Sequence, residues 1–271
     1  MIVQIFTIVL TVVIGLCVGS FLNVVIYRIP NDMSLIKPAS HCPNCNHEIK
    51  WYMNIPVFSY IFLRGKCHYC KARISPLYPM VEILNMVLWF GCLLVFTPYV
   101  TNAFTQTVNW YAFITSCIAC SALICIFFID LKHMEIPDVL QLVLLLCGLV
   151  SLLDNPTWEN IALKVFGFIG GGALFFIVNL IYKLIRKKDG IGFGDVELSA
   201  CMGLLLGGYK LLYALLLSCV VGGLILVIVN LVTKGKGRAY PFAVLLAPGF
   251  VIALYTGDFV VNAYLSLLGG H

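Results

Sequence analysis

The chain has 271 residues, of which 61% are hydrophobic and only 11% charged. A water-soluble domain carries roughly a quarter charged residues, so a soluble globular class is excluded, and the mean hydropathy of +1.01 agrees. The net charge of +5 does not point to nucleic acid, because no basic, aromatic-interleaved domain is left outside the apolar runs.

Taken in chain order, eight apolar runs predict membrane-crossing helices at about 2–27, 78–98, 110–129, 138–153, 161–183, 196–208, 210–232 and 241–257. The first has no basic segment before it and is long enough to stay as a span rather than be removed as a signal peptide. The sixth is short and Gly-rich, which predicts a tilted or incomplete crossing. The tail from Asp258 to His271 is apolar but short, and is expected at the membrane interface. The fold class is therefore an all-α polytopic membrane protein, with one sizeable polar loop after the first helix. Gly167 with Gly171, and Gly203 with Gly207, have the spacing of close helix packing.

Charge placement sets the orientation. All of the 17 basic residues except Lys164 and Lys210 lie in four connecting segments: the 28–76 loop, the turn with Lys132, the stretch from Lys183 to Lys188, and the stretch with Lys234, Lys236 and Arg238. The positive-inside rule makes these four segments cytoplasmic and puts both termini outside the cell membrane.

The loop at 28–77 holds two Cys-x-x-Cys pairs, Cys42 with Cys45 and Cys67 with Cys70. Such a spacing brings four thiolates tetrahedrally onto one zinc ion. The loop is short and poor in apolar residues, so a metal staple is expected. Disulfides compete as a reading, but a cytoplasmic loop disfavours them. Four filled positions predict a structural zinc rather than a catalytic one. The eight other cysteines lie in apolar runs and read as packing residues, the Cys117-x-x-Cys120 pair included.

Two acids stand apart. Asp130 ends the third run and is followed by Glu135-Ile136-Pro137-Asp138, where Pro137 opens the next helix and Asp138 favours its dipole. Asp195 closes Gly190-Ile191-Gly192-Phe193-Gly194-Asp195, in which Gly192 and Gly194 allow close backbone approach before the sixth run. Both acids reach the cytoplasmic edge from different helices. Two adjacent carboxylates resist ionising together, so one supplies an acid and the other a base, as water-driven peptide hydrolysis requires. On the residues alone, an interfacial anchor at Asp130 and a helix cap at Asp195 account for them equally well.

The ordered motifs resemble a known family, the type IV prepilin peptidases, which are membrane aspartic proteases of the Gly-x-Gly-Asp class. The similar blocks are Gly19 to Pro30, the two cysteine pairs with Trp51, Asn54, Ile55 and Pro56 between them, Tyr78-Pro79 with Glu82, Asp130 to Asp138, and Gly192 to Val196. The resemblance implies cleavage of prepilin or pseudopilin leaders after a Gly on the cytoplasmic side, with Asp130 and Asp195 as catalytic pair and Gly192, Gly194, Pro137 and Asp138 as support. It also implies S-adenosylmethionine-dependent N-methylation by the part that carries the cysteine loop. The expected division is 1–27 as first helix, 28–77 as four-cysteine loop and 78–271 as peptidase core. The chain departs from the family pattern at Glu197, Gln141, Leu77 and Ala243-Val244, none of which replaces an aspartate. The rival classes are a peptidase without methyl transfer, a proton-coupled transporter and a non-catalytic zinc-loop scaffold. A transporter would place its acids near the midplane of broken helices instead of at one face.

Overall fold

The computed structural model describes residues 2–96, 109–188, 190–233 and 241–267. Each predicted apolar run forms a helix, and a short helix is added within the loop. In order they are α1 (Ile2–Arg28), α2 (Phe58–Phe62), α3 (Leu77–Phe96), α4 (Trp110–His133), α5 (Asp138–Ser151), α6 (Trp158–Arg186), α7 (Phe193–Leu206), α8 (Gly208–Thr233) and α9 (Ala243–Leu267). No strand occurs among the described residues. Helices α1, α3, α4, α6 and α9 are long and apolar enough to cross a membrane, and α5 and the first part of α8 are shorter apolar helices. The basic residues Lys234, Lys236 and Arg238 and the acid Asp189 lie outside the described residues.

The chain divides into two compact units, Met1–Val108 and Asn109–His271. In the first, α1 packs on α3. A Cβ at Gly19 would lie 2.7 Å from the Glu82 Cα, so only glycine lets the two backbones come this close. Polar groups lock the crossing: Asn85 Nδ2 donates to the Gly15 carbonyl at 2.7 Å, and Asn23 Nδ2 to the Tyr78 carbonyl at 3.1 Å. These bonds tie α3 to α1.

In the second unit α4 is the most enclosed of the helices long enough to span a membrane, packed between α5 and α9. Helix α7 lies against α5 and α6. A Cβ on Gly203 would overlap the Gly167 carbonyl, and one on Gly171 would lie 2.6 Å from the Ser199 carbonyl oxygen. Close packing therefore explains Gly167, Gly171 and Gly203. Gly207 serves differently: at φ +81 it ends α7 and lets α8 begin one residue later. The helix does not end at Asp258, since α9 runs on to Leu267. Asp258 is accommodated within the helix by an ion pair with Lys210 of α8, which removes the reason to stop there.

Candidate active site and metal centre

The ends of four helices build the acidic site in the second unit. Asp130 sits in the last turn of α4, which closes with Met134 in a left-handed cap whose amide donates to the Asp130 carbonyl at 2.9 Å. Lys132 and His133 occupy the same turn, where positive charge suits the helix dipole. Pro137 then forms the N-cap of α5, and Asp138 is its first residue. The backbone amides of Ala243 and Val244 lie near the Asp130 carboxylate. Those amides open α9, whose first turn has no intrahelical acceptor to offer them. A helix N-terminus thus lies beside the carboxylate, where its orphan amides favour an anion.

Asp195 is not itself a cap. Gly192 is the N-cap of α7, and Asp195 stands three residues inside, its side chain turned back onto the Gly192 amide. Gly192 has an ordinary extended φ of -65, so it is needed for room: an added Cβ would lie 3.3 Å from Asp195 Oδ2. At Gly194 an added Cβ would meet Ile136 and the Gln141 amide, both at 3.2 Å. Gln141 Nε2 donates to the Gly194 carbonyl at 3.2 Å, tying α5 to the start of α7. Asn179 of α6 accepts from the amides of Gly190 and Ile191 at 2.9 and 3.1 Å and fixes the approach to the motif.

The two carboxylates are 5% and 8% exposed and close enough for the charge of one to act on the other. Asp130 Oδ2 and Asp195 Oδ1 are both buried with no hydrogen-bond partner among the described residues. Two such buried oxygens on interacting carboxylates are costly to maintain and suit a pair that shares a proton and handles a polar reactant. The sequence reading had singled out the aspartates and glycines. It missed Gln141 as a support, and it missed Asn179 and the α9 amides. A polar Gln and Asn inside apolar helices were the available signals for the first two.

In the first unit the four loop cysteines converge. Their sulfurs all lie within 4.8 Å of one another, and Cys42 and Cys70 are 3.8 Å apart. Tetrahedral zinc at about 2.3 Å from each sulfur gives a separation of about 3.8 Å, so the donor set fits such an ion. The two knuckles repeat one another. His41–Glu48 and Lys66–Arg73 form equivalent bridges, the amides of Cys42 and Cys67 donate to the carbonyls of His47 and Ala72, and Asn46 and Lys71 take matching positive φ angles. All four thiols are free of disulfides. The Ala72 amide and the Asn44 side chain hold the Cys70 thiol down to about 6, while, against the His47 amide, burial and the neighbouring sulfurs push Cys45 up to about 11, so the four sulfurs resist ionising together without a cation among them.

Comparison with known proteins divides along the same lines. Residues 13–96 match the model of the bacterial peptidase A24 N-terminal domain, and residues 117–227 match that of the type IV leader peptidase family. A Pseudomonas aeruginosa protein named prepilin leader peptidase/N-methyltransferase is 34% identical over 96% of this chain and 93% of its own. A Neisseria gonorrhoeae protein of the same name is 34% identical over 91% of this chain and 90% of its own. The Aeromonas hydrophila counterpart is 32% identical over 93% and 91%. No solved structure matched.

Proposed function

The chain belongs to the type IV leader peptidase family, and from that premise we propose that Asp130 and Asp195 are the catalytic pair of a prepilin leader peptidase that also methylates its product. The observation that carries this reading is the pair of buried, unpartnered carboxylate oxygens on Asp130 and Asp195, reached from two helices and close enough for one charge to act on the other.

The ionised carboxylate takes a proton from water as its oxygen attacks the scissile carbonyl, and the protonated one gives a proton to the carbonyl oxygen. Collapse of the tetrahedral adduct breaks the C–N bond, and the leaving amine departs with a proton. The substrate is a prepilin or pseudopilin cut after Gly, its basic leader on the cytoplasmic side and its apolar helix in the bilayer. The eight apolar helices, long and short, are segments of the cell membrane, with both termini outside, a topology supported by the charge bias of the connecting segments.

The first unit carries the methyl-transfer role, for which S-adenosylmethionine supplies the methyl group. Zinc on Cys42, Cys45, Cys67 and Cys70 is structural. The support is burial: within 29–76 only Cys42 and Cys67 are buried, so the loop has no core other than its cysteines.

Coexpression with a prepilin tests the catalytic pair. Wild type gives a leader-sized mobility shift, and Asp130→Asn and Asp195→Asn give none while remaining in the membrane at normal levels. Cleavage by both variants overturns the assignment.

A further inference from the structure

A cavity of about 380 Å³ lies wholly within the first unit, between one face of α1 and the loop segments around Leu35–Ser40 and Asn54–Pro56. This is the size of a small-molecule site. Its α1 wall is made by Ser20, Phe21, Val24 and Arg28, which recur at helical spacing. That face is distinct from the Gly15, Gly19 and Asn23 face that meets α3. Asn54 adds a second polar group on the loop side.

Arg28 gives the cavity its chemistry. It is only 6% exposed, and its guanidinium donates to the Ser34 carbonyl at 2.8 Å and the Pro38 carbonyl at 2.6 Å. A guanidinium has five N–H donors, so these two bonds leave donors to spare. No carboxylate pairs with it among the described residues. Glu82 is committed elsewhere, accepting from the Val57 amide at 2.7 Å and from the Ser20 hydroxyl. A buried, fork-shaped cation on a cavity wall with apolar Phe21 and Val24 beside it matches a ligand with a carboxylate at one end and a flat apolar body.

The far wall is held under strain. Val57 follows the lining residue Pro56 and has φ 62 and ψ -50, which a β-branched residue adopts only when its surroundings impose it. The Glu82 carboxylate imposes it through the Val57 amide. Strain of this kind is retained where a wall must be fixed for a ligand.

We infer that this cavity is the binding site of the methyl donor, an S-adenosyl amino acid whose carboxylate is held by Arg28 and whose nucleoside lies against the Phe21–Val24 face. The inference rests on the methyltransferase reading above. It assigns that reaction a site which no glycine-rich nucleotide fingerprint marks in the sequence.

The test is equilibrium binding of S-adenosylhomocysteine to the full chain in nanodiscs, for wild type, Arg28→Gln and the cavity-filling Val24→Trp. Prepilin cleavage is assayed on the same samples. Both variants are expected to bind about tenfold more weakly or worse, as loss of a charge-assisted bond or of the space requires, with cleavage within about twofold of wild type. If Arg28→Gln fails to fold, seen as lost cleavage, Val24→Trp decides alone. Saturating S-adenosylhomocysteine should also slow alkylation of the exposed Cys17 at the cavity rim, read by mass spectrometry of its peptide. Undiminished binding in the folded variants overturns the site. So does a result in which the variants lose only phosphatidylglycerol binding, which reassigns the cavity to a lipid headgroup. A wild type that cleaves but binds no S-adenosylhomocysteine sinks the methyltransferase reading itself.

Discussion

At the residue scale, each of the two aspartates proposed as the catalytic pair keeps one buried oxygen without a hydrogen-bond partner among the described residues. Backbone amides of Ala243, Val244 and Gly192 lie near the two carboxylates, yet those two oxygens stay unpartnered. Such an arrangement trades stability for chemistry, because unpaired buried oxygens cost about 1–3 kcal/mol each. Asp195→Asn should therefore lose cleavage while keeping or raising the unfolding temperature, measured in detergent; a marked fall in that temperature would contradict the argument. Gln141 predicts the opposite pattern. It touches no reacting atom, but its amide satisfies the buried Gly194 carbonyl one residue before Asp195. Gln141→Leu removes that donor and should lower kcat about tenfold with KM little changed, because Asp195 is positioned less well. Gln141→Glu, which retains length but not the donor when ionised, should fail to restore it. An unaltered kcat in Gln141→Leu would assign Gln141 to stability alone.

At the scale of elements, most helices were legible because long apolar runs between basic segments permit few alternatives. The helix start at Pro137-Asp138 followed from local chemistry, and α5 begins at Asp138. What could not be read were pairings between distant elements. Nothing near Asp130 in the sequence announces that the amides of Ala243 and Val244 come to it from α9. Nor does α3 advertise that Asn85 and Glu82 bind it to α1 and the loop. The α6–α7 contact shows what such pairings carry. Gly203 and Gly167 touch through backbone, so a Gly203→Val side chain must push α7 away from α6. Because α7 carries Asp195 as a rigid helix, loss of cleavage and a stability loss on the order of 1–3 kcal/mol are expected together. Gly170 is the control: a Cβ there meets nothing within 4 Å, so Gly170→Ala should be neutral or stabilising by up to about 1 kcal/mol. Equal effects from the two substitutions would show that the contact is not the cause.

At the scale of the whole molecule, two units divide two kinds of stabilisation. The second has a buried helical core around α4. The first has a helix pair locked by buried asparagines, followed by a loop whose buried side chains are two of its cysteines. The metal set was readable from the sequence because each knuckle is local, with the cysteine spacing itself setting the geometry. The cavity was not, since its walls come from a helix face and loop segments that share no sequence signal. These differences predict how the molecule fails when metal is removed. Zinc binding to structural cysteine sites contributes on the order of 10 kcal/mol, far more than a coreless loop can replace. Chelation, or the double substitution Cys42→Ser with Cys67→Ser, should therefore release residues 29–76 to proteases while α4 to α9 stay resistant. The methyl-donor cavity uses Leu35, Pro38, Asn54 and Pro56 from that loop, so donor binding and product methylation should disappear with it. Prepilin cleavage should persist at a substantial rate, since Asp130 and Asp195 and their supports all belong to the other unit. Limited proteolysis with mass spectrometry of the pilin product separates these outcomes. Loss of cleavage in step with loss of metal would mean that the zinc loop serves the peptidase reaction directly.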